Sequence, residues 1–275
     1  MAISVNANIV TADQAAVGAN NSCGISGKPA GTANTDVLIV VWGLDSQASL
    51  TGSLGVPAGW TLIQAATTGI VASTHYITLV MYWALGSVNA VNQFTNTSGG
   101  SMDIGYIVMA FTGVNNTTPI DIAGTSNNVS GTVSSITANA VTVATDQSWL
   151  LIGAADLNGG SSTLFSATGF TQKANAGINA SAAALYNNTP QGTGSTGTTT
   201  VNDSASSTSQ VICAGPFALR PLLMKTGKEP FGTPPPAAMT MRHRQPGHPL
   251  PTRKYWRTTE GGILVPEVLI ARKVA

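Results

Sequence analysis

The sequence predicts an all-β fold, a two-sheet antiparallel β-sandwich, jelly-roll-like and built from two pseudo-repeated halves, with an extended C-terminal arm. Short apolar runs rich in Val, Ile, Tyr, Trp and Phe recur between clusters of Gly, Asn, Ser and Thr, the pattern of strands joined by turns. Apolar residues at sustained spacings of three and four are scarce, so helices are not expected. The runs of the first half also return in the second, in the same order.

Strands are expected at Asp36 to Leu44, Trp60 to Gln64, Tyr76 to Leu85, Ile104 to Thr112, Val141 to Thr145, Ser148 to Ala155, Phe170 to Lys173, Ala182 to Tyr186 and Gln210 to Leu219. Each is a β-branched or aromatic stretch bounded by turn-forming residues. The repeat pairs them. Asp36-Val-Leu-Ile-Val-Val-Trp-Gly-Leu-Asp is echoed from Asp146 to Asp156, and Pro57-Ala-Gly-Trp-Thr-Leu by Ala167-Thr-Gly-Phe-Thr-Gln. Met81-Tyr82-Trp83 matches Ala184-Leu185-Tyr186, and Ile107 to Gly113 corresponds to Ile212 to Ala218. Neither half could bury its inner face alone, so the two are expected to close on each other.

An Asp plus Val/Ile/Leu strand, a Pro-x-Gly-Trp-Thr turn, a strand ending Tyr82-Trp83-Ala84, an apolar strand into Phe111-Thr-Gly-Val114 and then Pro119-Ile120-Asp121 follow one another. This order resembles a sandwich domain of tailed-bacteriophage virion structural proteins, over roughly residues 30–221. The resemblance implies a structural or adhesive role on a virion, made in the host cytoplasm.

Charged residues make up 8% of the 275, against about 25% in ordinary globular chains. So few charges suit a subunit held in an assembly, and a homo-oligomer, by analogy a trimer, is expected. The net charge of +1 conceals a division. Residues 1–219 carry two basic groups, Lys28 and Lys173, against eight aspartates, a net of −6; from Arg220 onward ten basic groups face three glutamates, a net of +7. Nine of the fourteen prolines fall in that last stretch, so the domains are expected to be a sandwich at 1–221 and a basic, Pro-rich arm at 222–275.

No apolar run approaches the ~18 residues of a spanning helix, so no membrane segment is expected. The start Met1-Ala2-Ile3-Ser4-Val5-Asn6 has no basic region or apolar run of a secretory leader. Cys23 and Cys213 are accordingly expected to be small buried side chains rather than a disulfide.

The residues do not predict an enzyme, a cofactor or a metal site. Gly192-Thr-Gly194-Ser-Thr-Gly197 satisfies a nucleotide-binding spacing but runs into Thr198-Thr-Thr-Val rather than a helix, so it reads as a turn. His75 has no acid near it in sequence. No nucleophile elbow or paired Cys/His ligand spacing occurs. A polysaccharide hydrolase built from the aspartates ranks last. Trp42, Trp60, Trp83, Trp149 and Tyr186 could form a sugar-stacking face, but core filling between the sheets is the simpler expectation for Trp42, Trp83 and Trp149.

The arm carries the expected partner-binding residues: Arg242, Arg244, Arg253, Lys254, Tyr255, Trp256, Arg257, Ile263, Leu264, Val268 and Leu269. Arginines would pair with carboxylates while Tyr255 and Trp256 anchor in apolar pockets. The segment after Gly262 fits either a short helix opening at Pro266 or an edge strand added to another subunit's sheet. The major capsid protein, another virion protein or a neighbouring subunit is the expected partner; a fold-back onto the arm's own body comes next, and nucleic acid ranks below both. The functional expectation is a capsid decoration or cement subunit, with a glycan-binding tail or fibre protein as the alternative.

Overall fold

The structure is a computed structural model that describes residues 2–17, 22–25, 27–46, 56–70, 76–88, 93–95, 102–130, 133–156, 165–176, 181–203, 211–222, 256–258 and 264–266. The chain divides into two units, Met1–Lys225 and Thr226–Ala275. The described residues are strands, turns and irregular segments, with no helix among them.

In the first half of the larger unit lie β1 (Ser4–Val5), β2 (Val10–Val17), β3 (Ser22–Gly24), β4 (Val37–Ser46), β5 (Thr61–Ile70), β6 (Tyr76–Leu85), β7 (Gln93–Thr95) and β8 (Met102–Thr112). The second half holds β9 (Ile120–Ala123), β10 (Asn127–Ser130), β11 (Ser135–Ala138), β12 (Thr142–Val143), β13 (Ser148–Asp156), β14 (Phe165–Ala167), β15 (Thr171–Ala176), β16 (Ser181–Gln191), β17 (Gly194–Ser195), β18 (Thr199–Asp203) and β19 (Val211–Leu219).

Each half forms one whole antiparallel sheet. The first runs β1-β8-β4-β6-β5 with β2 also on β8, and the second runs β10-β19-β13-β16-β15 with β9 also on β19. The sequence repeat is therefore a topological one: β4 answers to β13, β5 to β15, β6 to β16 and β8 to β19. Across the sandwich β8 packs on β16, β4 on β13, β6 on β19 and β5 on β10. The segments just past β8 and β19 meet, Val114 bridging Pro221. Equivalent strands thus run the same way, and a half-turn about an axis parallel to them relates the two sheets.

The central strands explain why the sheets mate. Every residue of β4 and of β13 is buried, so both faces of each sheet need cover. Between the sheets lie Ile39, Val41, Leu79, Met81, Met109, Phe111, Leu151 and Phe217. Trp149 and Tyr186 also sit there, with rings parallel within 5° and centroids 5.9 Å apart, and Trp83 is half-buried against this layer. Burying each such side chain contributes about 1.5–3 kcal/mol.

Trp42 corrects the expectation that it fills the space between the sheets. Strand alternation turns it to the outer face of the first sheet with Leu38, Val40 and Leu44, where its ring tilts on Tyr106 at 4.8 Å. Ile25 and Trp60 help to cover that face. On the outer face of the second sheet, Ile152, Ala154 and Leu185 lie under Ile136, Phe165 and Val201, contributed by a small sheet in the order β11-β18-β14.

Close approach of the sheets rests on Gly153 and Gly215, directly opposite each other on β13 and β19. A Cβ on Gly153 would stand 2.4 Å from Met81 Sδ and 3.1 Å from Val41 Cγ1. Gly153→Val should lower stability by about 1–3 kcal/mol through overpacking. Urea unfolding is expected to show a lower midpoint at unchanged slope, whereas Thr200→Val, on an exposed strand position, should stay within about 0.5 kcal/mol of wild type.

Candidate functional site

The best-defined polar constellation is where the body hands over to the arm. β19 ends at Leu219, and the next three residues are fastened on both sides to the link between the halves. Arg220 donates its N–H to Pro119 O (2.8 Å) and accepts from Asn115 N (2.9 Å), while Leu222 N donates to Gly113 O (2.7 Å). The receiving turn is itself fixed, because Asn115 Oδ1 accepts from the N–H groups of Thr117 and Thr118. Gly113 is required there. Its φ is +72°, and a Cβ would fall 2.1 Å from Ala2 O.

The Arg220 side chain completes the clamp. Its Nε and Nη2 donate to Asp121 Oδ1 at 3.2 and 3.1 Å, and Nη1 donates to Thr118 Oγ1 at 3.1 Å. Asp121 also accepts from Ala144 N, Thr145 N and Thr145 Oγ1, and its side chain is fully covered. Burial pushes this carboxyl up, but the bonds from Thr145, Ala144 and Arg220 outweigh it and hold the group below the usual carboxylate range. The charge division put Arg220 with the basic C-terminal stretch, although the expected domain boundary kept it in the sandwich. Its partner lies 99 positions away, and no local spacing could have announced the pair.

The aspartates are mostly internal. Asp36, Asp45, Asp156 and Asp203 are buried, and Asp36 Oδ2 accepts from Ala33 N. Asp45 is the next-to-last residue of β4 and Asp156 the last of β13. Register sets Asp45 opposite Asp103, but among the described residues no group of three or more His, Cys, Asp or Glu could hold a metal ion. His75 lies outside the described residues. The Gly192–Gly197 stretch contains β17, paired with β12, and leads into strand β18.

The sugar-stacking face does not form from the five aromatic residues. Trp42, Trp60, Trp149 and Tyr186 are at most 8% exposed and Trp83 is half-buried. The large apolar residues exposed among the described residues are Val56, Leu62 and Leu222, scattered as on ordinary surfaces. No described helix is long and apolar enough to cross a membrane. Cys23 is on β3 beside β7, and Cys213 is on β19 of the second sheet.

In the smaller unit, β20 (Trp256–Thr258) pairs antiparallel with β21 (Leu264–Pro266). Pro266 thus closes a strand rather than opening a helix, and that strand's partner is the arm's own. Trp256, Arg257 and Leu264 are on this pair; Arg242, Arg244, Arg253, Lys254, Tyr255, Ile263, Val268 and Leu269 lie outside the described residues. In comparisons with known proteins, no family model matches the chain, and no curated protein and no solved structure matches it.

Asp121→Asn should cost about 2–3 kcal/mol at neutral pH, since it weakens a charge-assisted cluster around a covered group. A lowered carboxyl contributes stability that is complete above the unfolded value near pH 4 and fades as pH falls through the folded one. The gap between wild type and Asp121→Asn, measured by urea unfolding, is therefore expected to narrow below about pH 4.

Proposed function

We propose that the protein is a virion structural subunit of a tailed bacteriophage, a capsid decoration or cement protein whose sandwich is displayed and whose arm attaches it. The observation that carries this reading is the clamp at residues 220–222. It fixes the point from which a basic, Pro-rich segment departs, as a tether under load needs. The resemblance of residues 30–221 to phage sandwich domains supports the same reading. So does a body poor in charge, whose exposed large apolar residues among the described ones are scattered, which suits passive display.

The tail-adhesin alternative draws less support, because its stacking aromatics are buried. Ending the chain after Leu222, which keeps the Leu222–Gly113 bond, is expected to leave the body's thermal unfolding within a few degrees of full length and to abolish incorporation into particles. Particle-associated protein after density-gradient separation measures this. Undiminished incorporation, or specific binding of the body on a glycan array, would turn the reading toward the alternative.

A further inference from the structure

One polar side chain enters the layer between the sheets from β5, at the edge of the first sheet. A register shift sends it there: Leu62 pairs with Tyr82, but Gln64 rather than Ile63 pairs with Met81. Regular alternation would have put Ile63 opposite Met81 and left Gln64 on the outer face. The shift turns Gln64 inward, where it is 7% exposed.

The carboxamide crosses to the second sheet. Its Nε2 donates to Gly124 O, in the connection between β9 and β10, and Gly124 N in turn donates to Pro216 O of β19. Its Oε1 lies over Gly215, where a Cβ would stand 2.0 Å away, and receives no hydrogen bond. Gly215 offers there a Cα–H, a weak donor at best. The layer that Gln64 enters holds Ile63, Leu79, Met81 and Phe217. A buried acceptor left without a donor costs stability, so apolar packing does not account for a glutamine at this position.

We infer that Gln64 is the register pin of the sandwich, the residue that selects one alignment of the two sheets. Apolar layers of the right volume pack in more than one way, and detailed complementarity selects among them. A single buried polar group is a known means of fixing register, at a cost in stability. Gln64 has one seat. Side chains on one face of β19 recur every second residue, so a slide of one such step, about 7 Å, would set the carboxamide on Phe217 in place of Gly215 and take it from Gly124 O. The pin also reaches the root of the arm, since Gly124 directly follows β9, which carries Asp121, the partner of Arg220.

Nuclear magnetic resonance of the full chain tests this. In the wild type, the Gln64 side-chain amide should exchange about tenfold or more slowly than that of the exposed Gln147, and the backbone amides of Asp121, Gly124 and Gly215 should each give one resonance. Gln64→Met keeps the volume and removes the polar atoms. It should still unfold cooperatively in urea with a midpoint near that of wild type, yet give doubled or broadened resonances at Asp121, Gly124 and Gly215, while Val201 in the small outer sheet stays single. Single, sharp resonances at all of these positions in Gln64→Met would overturn the inference, because the alignment would then not need the amide. So would a Gln64→Met chain that no longer folds, since the amide would then supply stability instead of register. A wild-type Gln64 side-chain amide that exchanges as fast as that of Gln147 would overturn it too.

Discussion

Both central strands, Val37–Ser46 and Ser148–Asp156, are buried along their whole length, and this constraint organises the rest of the body. A sheet whose middle strand is apolar on both faces cannot leave either face to water. Each half therefore spends one face on the other half and covers the second face with its own short elements, Ile25 and Trp60 on one side and the β11-β18-β14 sheet on the other. The glycine pair Gly153/Gly215 follows from the same requirement, since the backbone there must admit Met81 and Gln64 from the facing sheet.

The half-turn relation between the sheets brings the ends of β8 and β19 together, and the clamp is built at that junction. Val114 meets Pro221, and Arg220 reaches Asp121 at the start of the second half. One polar cluster thereby joins the link between the halves to the departure point of the arm. Its carboxylate is covered and bonded to five donors, so loosening it would disturb several segments together.

Charge is handled in the same inward fashion. Four aspartates are buried and a fifth is paired with Arg220, while most of the cations are concentrated in the arm. The contrast between a charge-poor body and a cation-rich arm is the physical basis of the proposed function.

The sequence by itself determined the all-β class, the central strands and the repeat, because continuous runs such as Val37–Trp42 and Ser148–Ala155 are legible wherever they stand. It missed β2 and the short strands β1, β3, β7, β9, β10, β11, β14, β17 and β18, most of which carry Ser, Thr, Asn or Gly and look like loop until a neighbouring strand gives them a partner. Only the tertiary structure decided which face each aromatic occupies. The sequence put Trp42 between the sheets, and one step of alternation moved it to the outer layer. It also decided the meaning of the charges. Composition separates −6 from +7, but burial is a property of the folded chain, and it takes the side chains of Asp36, Asp45, Asp121, Asp156 and Asp203 out of solvent.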